Sequence, residues 1–201
     1  MWLDKMAESY ILTAESNSHH SHKEAHMSKF LPAELFCEVF GEYVPRLCVD
    51  TAVIGPDDHL IFSRLNGFTP VYKFSGRCCG VALKERDEEP RKGQWGLPGG
   101  TVFKGETLED ASKRIIRADL GIEIDVLGEI GSMEFPNERR IMRVGNESRE
   151  ITIDSKSFVL LARARSVALQ AKSGKTVGWF CDRPPVEHQY HTPFLIARGL
   201  F

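Results

Sequence analysis

The chain has 201 residues, a formal net charge of −2 and a hydrophobic content of 42%. This composition is typical of a globular protein with one core, and it excludes a disordered or collagen-like chain. A near-neutral balance of 26 basic against 28 acidic residues argues against a general nucleic-acid binder. No apolar run approaches the roughly 18 residues of a membrane span. Five scattered cysteines without a signal-peptide pattern indicate reduced thiols and a cytoplasmic protein.

The N-terminal part differs from the rest of the chain. Residues 1–28 include the polar stretch SNSHHSHKEAH, which has no apolar period, so they are predicted to form a flexible extension. Residues 29–201 are then a single domain. Its first element is a predicted helix at 32–43, where apolar residues recur at helical spacing after Pro32.

Strand patterns follow this helix. Residues 47–54 are a predicted strand that ends at a turn over 55–58, and residues 59–65 are its predicted hairpin partner. Residues 66–80 contain two glycines and a proline before Gly80, which predicts a long loop or an added hairpin. Residues 80–86 are the next strand, and a charged loop follows it.

The clearest helix signal lies at Leu108–Leu120. Thr107 precedes it as an N-cap with Asp110 three residues on, and Gly121 is the expected stop. Further strands are predicted at 122–135, 151–164 and 176–180, with a polar loop at 136–150 and a final helix within 194–201. Strands around a central helix, with helices near the ends, predict an α+β fold: an α/β/α sandwich with a mixed sheet.

The stretch around the central helix carries the chemistry. Its residues follow the spacing Gly100-x5-Glu106-x7-Arg114, and an Asp119-x-Gly121-Ile122 segment completes the pattern. This spacing resembles the Nudix box, whose full form is Gly-x5-Glu-x7-Arg-Glu-U-x-Glu-Glu-x-Gly-U with U aliphatic. The preceding segment, from Trp95 through Pro98 to the two glycines, also resembles that family. The resemblance implies a Nudix-like sandwich and hydrolysis of a nucleoside diphosphate linked to another moiety.

The physical logic of such a box is divalent-metal chemistry. The glycine pair allows the backbone to approach a cation and a diphosphate, and helix carboxylates at i, i+3 and i+4 share one face. Oxygen ligands of this kind suit Mg²⁺, or Mn²⁺, together with a phosphate substrate. The ion then stabilises the departing phosphate.

This chain departs from the full pattern. Ile115, Ala118 and Asp119 stand where the family has three glutamates, so one carboxylate remains on that face. At most one Mg²⁺ is therefore expected, held by Asp119, a carbonyl of Gly99 or Gly100, water and substrate phosphate. The resemblance implies an ion pair between Glu106 and Arg114.

The altered box is similar to that of the GDP-mannose mannosyl hydrolases, a subgroup that attacks the sugar carbon with one Mg²⁺ and a histidine base. A GDP-mannose-like nucleotide sugar is therefore the favoured substrate. The subgroup's base lies in the loop before the last strand, and that loop has no histidine here. His188 and His191, just after that strand, are the candidate bases. With Glu106, Arg114 and Asp119 they make up the candidate catalytic set.

Three arginines in the predicted 136–150 loop are candidate substrate ligands, because guanidinium groups suit diphosphate recognition. They are Arg139, Arg140 and Arg143. Two other functions stay open at this point. One is cleavage of a phosphoanhydride, as in ADP-ribose or a nucleoside triphosphate. The other is nucleotide binding without hydrolysis, which the loss of two carboxylates favours. Many relatives are dimers, so a homodimer also stays open.

Overall fold

The structure is a computed structural model that describes residues 32, 35, 39–40 and 45–201, except for 66–68, 76–79, 88–90, 145 and 172–174. The predicted extension at 1–28 lies outside the described residues, as does nearly all of the predicted helix at 32–43. Nine strands and two helices are described. The strands are β1 Arg46–Ile54, β2 His59–Leu65, β3 Thr69–Ser75, β4 Val81–Glu85, β5 Trp95–Gly96, β6 Gly99–Thr101, β7 Ile124–Val144, β8 Glu147–Ala164 and β9 Val177–Phe180, and the helices are α1 Leu108–Leu120 and α2 His191–Ala197.

Strand β1 is the centre of a seven-stranded mixed sheet. One of its edges pairs in parallel with β8 along its whole length. The other edge is divided: β6 pairs with Cys48–Asp50, and β4 pairs only with Val53 and Ile54. Between the two partners, the Thr51 amide donates to the Pro98 carbonyl at 2.9 Å. The sheet therefore forks on this side of β1.

The two helices cover opposite faces of this sheet. Successive strand residues point to opposite faces, and Val53 and Ala82 pack in one buried cluster with Ile116 and Leu120 of α1. The alternate residues of the same strands, among them Ile54, pack in a second cluster with Leu195 of α2. This arrangement confirms the predicted α+β sandwich with a mixed sheet.

Helix α1 begins and ends where the sequence predicts. The Thr107 hydroxyl accepts from the Asp110 amide at 3.1 Å, and Gly121 takes a left-handed conformation with φ of 68°. A Cβ at position 121 would lie 2.5 Å from the Gln170 carbonyl oxygen, so the stop also needs a residue without a side chain. Neither of the two helices in the described ranges is long and apolar enough to cross a membrane.

Two sequence predictions about the strands are wrong. Segment 59–65 does not pair with β1, because both edges of β1 are taken by other strands; it pairs with β3 in a separate two-stranded sheet. The predicted loop at 136–150 is instead the far end of a long hairpin, in which β7 and β8 stay paired as far as Val144 and Glu147. Its polar composition reflects exposure of this part of the hairpin to solvent.

Candidate functional site

A cavity of about 370 Å³ opens beside the fork. Its lining residues come from β1, β4 and β6 on the two sides of the fork, from the β7–β8 hairpin, and from the segments around β9 and α2. They are Arg46, Cys48, Asp50, Lys84, Arg86, Asp87, Gly99, Gly100, Phe135, Glu138, Arg140, Ser155, Lys175, His188 and His191. Five cationic and three acidic side chains are among them, so this wall carries a surplus of two positive charges.

The arginines at one end of the cavity are held by a single carboxylate. Glu138, on β7, bonds to Arg91, accepts from Nη2 of Arg140 at 3.3 Å and lies 3.9 Å from Nη2 of Arg46. Burial raises the pKa of Glu138, but Arg91 and Arg140 outweigh burial and bring this pKa below its usual value. One ionised carboxylate cannot neutralise three guanidinium groups, so this end stays positive.

A second charged group lies where helix α1 meets the cavity. Nζ of Lys84 bonds to Oδ2 of Asp119, and Nζ of Lys175 lies 3.1 Å from Oδ1 of the same carboxylate. All three side chains are largely buried, and both lysines line the cavity. We refer to Lys84, Asp119 and Lys175 as the Lys–Asp–Lys cluster. It carries one net positive charge.

Asp50 and two histidines form the floor of the cavity near α2. Oδ2 of Asp50 lies 3.5 Å from Nε2 of His191, and the rings of His191 and His188 stack with centroids 3.9 Å apart. Burial raises the pKa of Asp50, but His191 and Ser157 outweigh burial and bring it below its ordinary value. Asp50 is therefore ionised at neutral pH.

Each of the two histidines accepts backbone hydrogen bonds at Nδ1. The Leu97 amide donates to Nδ1 of His191 at 2.9 Å, and the amides of Tyr190 and His191 both donate to Nδ1 of His188 at 3.3 Å. A nitrogen that accepts a hydrogen bond carries no proton, so in each ring the proton is on Nε2. Burial, with help from His191 and Arg86, lowers the pKa of His188 to about 2. As placed, each ring offers the site an N–H donor.

Gly99 is held against Asp50 in the β1–β6 pairing. A Cβ at position 99 would lie 1.7 Å from Oδ1 of Asp50, a separation that no real side chain tolerates. The glycine pair of the box therefore leaves room here for a carboxylate of the neighbouring strand. The glycine at position 99 is therefore needed for packing of β6 against Asp50 of β1, apart from any contact with a ligand.

Glu106 and Arg114 form the expected ion pair, which confirms that prediction. Arg114 donates from Nε and Nη2 to the two carboxylate oxygens at 2.7 and 2.8 Å. It also donates to the Thr101 carbonyl at 3.0 Å, and Glu106 accepts from the Phe103 amide at 3.0 Å. Neither residue lines the cavity. The pair braces the loop after β6 against α1.

The three candidate arginines of β7 are separated by strand alternation. Arg140 points to the same side as Glu138 and lines the cavity. The Arg139 side chain is 80% exposed and faces Glu150 at 3.7 Å, and Arg143 is also exposed. The structure thus brings one of the three to the site.

Several cavity residues were missed by the sequence reasoning. Asp50, Lys84, Glu138 and Lys175 come from four distant segments, so no spacing rule connects them. One local signal was present: Asp50 is the one carboxylate in a mostly apolar strand, and a carboxylate buried in such a strand is rare unless it is paired.

The side chains do not make the single-ion site that was expected. Both oxygens of Asp119 accept from lysine ammonium groups. Ile115 is 5% exposed and packs with Val49, Ala111 and Leu160, so this position adds to the core instead of the site. Within the described ranges, no three His, Cys, Asp or Glu side chains are grouped to hold a metal ion. The donor set here does not fit a divalent cation.

A protein family and a solved structure that resemble this chain have the same kind of fold. The family model described as "NUDIX domain" matches residues 68–187, more than half of the chain. The MutT NUDIX hydrolase of Burkholderia pseudomallei is a similar structure, with a TM-score of 0.52 and 22% identity over 77% of this chain and 98% of that one. That identity supports the fold alone.

Two curated proteins are similar over shorter stretches. The low-salt glycan biosynthesis protein Agl8 of Haloferax volcanii is 46% identical over 55 residues, which are 27% of this chain and 35% of that protein. The oxidized purine nucleoside triphosphate hydrolase of Mus musculus is 39% identical over 54 residues, 26% of this chain and 35% of that protein. Each match thus spans about a third of the relative's length. Together with the family match and the sandwich fold, these similarities show that the chain belongs to the Nudix family.

Proposed function

We propose that this protein is a Nudix hydrolase of a nucleoside diphosphate linked to another moiety, with a GDP-mannose-like nucleotide sugar as the favoured substrate. The observation that carries the proposal is the cavity wall with five cationic side chains, on which a diphosphate group would be the complementary ligand. Similarity to a glycan biosynthesis protein over 55 residues supports a sugar-linked substrate.

The residues of the cavity suit departure of a diphosphate. Charge that develops on a leaving phosphate is stabilised by donors already in place, and Arg46, Arg86 and Arg140 line one region of the wall. The Nε2–H groups of His188 and His191 are further donors. Asp50, ionised beside them, can accept a hydrogen bond from the attacking water and orient it.

A substrate panel tests this proposal. Nucleotide sugars, ADP-ribose, dinucleotides and triphosphates are incubated with Mg²⁺, with Mn²⁺ and with EDTA, and phosphate is measured with and without added phosphatase. We expect turnover of a nucleotide sugar. Turnover in ¹⁸O-labelled water then locates the attack, because label in the sugar means attack at carbon and label in phosphate means attack at phosphorus. A panel without any turnover contradicts the proposal.

Two neighbouring arginines provide a matched pair of variants. Arg140→Ala removes a guanidinium from the cavity wall, whereas Arg139→Ala removes one that is 80% exposed. Loss of a charge-assisted hydrogen bond to a phosphate weakens the interaction by about tenfold or more. We expect that loss in kcat/KM for Arg140→Ala and an unchanged value for Arg139→Ala. Equal effects would show that the substrate lies elsewhere.

A second candidate function is binding of the same ligand class without hydrolysis. It is favoured by the apolar Ile115 and by the engagement of both Asp119 oxygens. In this case GDP-mannose would raise the melting temperature while the panel shows no product under any metal condition.

We also propose that the protein works in the cytoplasm and forms a homodimer. Cys48 is a buried cysteine outside any disulfide in the described structure, which is in keeping with a reducing compartment. Light scattering coupled to size-exclusion chromatography measures the oligomeric state directly. A monomer at micromolar concentration would contradict the dimer.

A further inference from the structure

We propose that the Lys–Asp–Lys cluster takes over the charge role of a divalent cation, so that the cavity binds a diphosphate group without a metal ion. The proposal rests on the ligand class given under the proposed function and adds how that ligand is held. It concerns the ammonium groups of Lys84 and Lys175, which reach the cavity from β4 and from the segment before β9.

The first step is the state of Asp119. This is the one acid that the box retains among its three helix positions, and each of its oxygens already accepts from a different lysine. The carboxylate is 10% exposed, so water does not compete freely for it. A cation could use Asp119 only by displacing two ammonium groups from a largely buried partner.

The second step is the charge around this position. A divalent ion is favoured where carboxylates outnumber cations, since like charges repel strongly in a partly buried site. Here five cationic side chains face three acidic ones in the cavity lining, and one positive charge is still left when Asp119, the partner of both lysines, is included. The two helix positions where the Nudix box has further glutamates, which would add negative charge, are occupied by the buried Ile115 and by Ala118. A divalent ion would add charge of the sign already in excess.

The third step is what the lysines can do for a ligand. An ammonium group has three donors, and Asp119 accepts one hydrogen bond from each lysine. Both ammonium groups lie on the same cavity wall as Gly99 and Gly100, and Asp50 is a further carboxylate on that wall, where Lys84 helps to lower its pKa. Asp119 fixes the two ammonium positions, and a diphosphate oxygen bound there would accept further hydrogen bonds from them. In this arrangement Asp119 is a positioning residue, and the lysines are the binding groups.

Binding by titration calorimetry tests the proposal on the full chain, with inorganic pyrophosphate and GDP-mannose as probes. Each is titrated in EDTA and in millimolar Mg²⁺. We expect binding in EDTA and no gain in affinity on adding Mg²⁺. Binding that is absent in EDTA and restored by Mg²⁺ overturns the proposal.

Lysine variants supply the second measurement. Lys84→Met and Lys175→Met each remove one ammonium group and keep the length of the side chain, and we expect affinity in EDTA to fall about tenfold or more. Lys113→Met is the matched control, because that lysine lies on α1 outside the cavity lining and pairs with Glu109 on the same helix. Thermal unfolding verifies that each variant is folded. Should Lys84→Met fail to fold, Lys175→Met decides, and unchanged affinity overturns the proposal.

The outcomes separate this inference from the proposed function. Metal-free binding without turnover supports the lysine role and contradicts hydrolysis. Turnover that needs Mg²⁺, with pyrophosphate binding that also needs Mg²⁺, contradicts the lysine role and leaves the hydrolase proposal standing. Failure of both probes to bind under any condition contradicts both.

Discussion

At the scale of single residues, the charge of this site is set by which carboxylate stands beside which cation. Glu138 gathers three arginines and Asp119 gathers two lysines, and both groups remain positive after pairing. A buried charge is costly unless partners surround it, so these carboxylates are also part of what keeps the cationic side chains in place. Each acid therefore organises donors for a ligand.

His188 predicts a dependence of stability on acid. Its pKa is about 2 in the folded protein against 6.5 ordinarily, because burial disfavours the charged ring. Between these two pH values the unfolded chain binds a proton that the folded chain does not, so stability is lost as pH falls below 6.5. The slope for one such group is about 1.4 kcal/mol per pH unit.

The variant His188→Asn tests this expectation, since its side-chain oxygen can still accept from the backbone. Urea unfolding is measured from neutral pH down to pH about 5. We expect the free energy of unfolding of the wild type to fall more steeply than that of the variant over this range. Parallel curves would mean that folding leaves the pKa of His188 unchanged.

At the scale of elements, helix α1 shows that the capping residues alone can fix where a helix begins and ends. Thr107 caps α1 through the Asp110 amide at 3.1 Å. Replacing an N-cap threonine by alanine costs about 1 kcal/mol, whereas serine keeps the accepting oxygen. We expect Thr107→Ala to lower the free energy of unfolding by this amount and Thr107→Ser to lower it less. Equal losses would point to packing of the threonine methyl instead of the cap.

Features that depend on residues close together in the chain could be predicted from the sequence, and features that depend on distant segments could not. Helix α1 depends on residues a few positions apart and was predicted from them, whereas the Glu106–Arg114 pair was expected from the resemblance to the Nudix box. The partner of β2 was not, because it depends on which strands reach β1 from far along the chain. For the same reason the cationic wall could not be derived from spacing, because Lys84 and Lys175 lie far apart in the chain and meet at Asp119. The polar end of β7 was mistaken for a loop because its inward positions carry the charged residues Glu138 and Arg140, so the apolar alternation of a strand is missing.

At the scale of the whole molecule, the sign of the net charge and the sign of the site differ. The chain carries −2 overall, while the described cavity lining has a surplus of two positive charges. Attraction of an anion therefore has to come from the cavity itself and not from the protein as a whole. This concentration of charge has a measurable consequence for binding.

We expect the affinity for pyrophosphate to fall severalfold as KCl is raised from about 0.01 to about 0.5 M, since salt screens charges that solvent can reach. The titrations are done in EDTA so that no metal complex of pyrophosphate forms. Guanosine, which has no charge, serves as the control ligand and should show no comparable loss. A salt-independent affinity for pyrophosphate would contradict a charge-based site.

The contact between Gly99 and Asp50 limits how this site can change during evolution. No side chain fits at position 99 while Asp50 is present, because a Cβ would lie 1.7 Å from its carboxylate. The backbone carbonyl of Val49 would also lie 2.9 Å from that Cβ, so replacing Asp50 alone does not open position 99 to another residue. The backbone of β1 and the aspartate both demand glycine here, and a homologue with a side chain at position 99 should also show an altered pairing between β1 and β6.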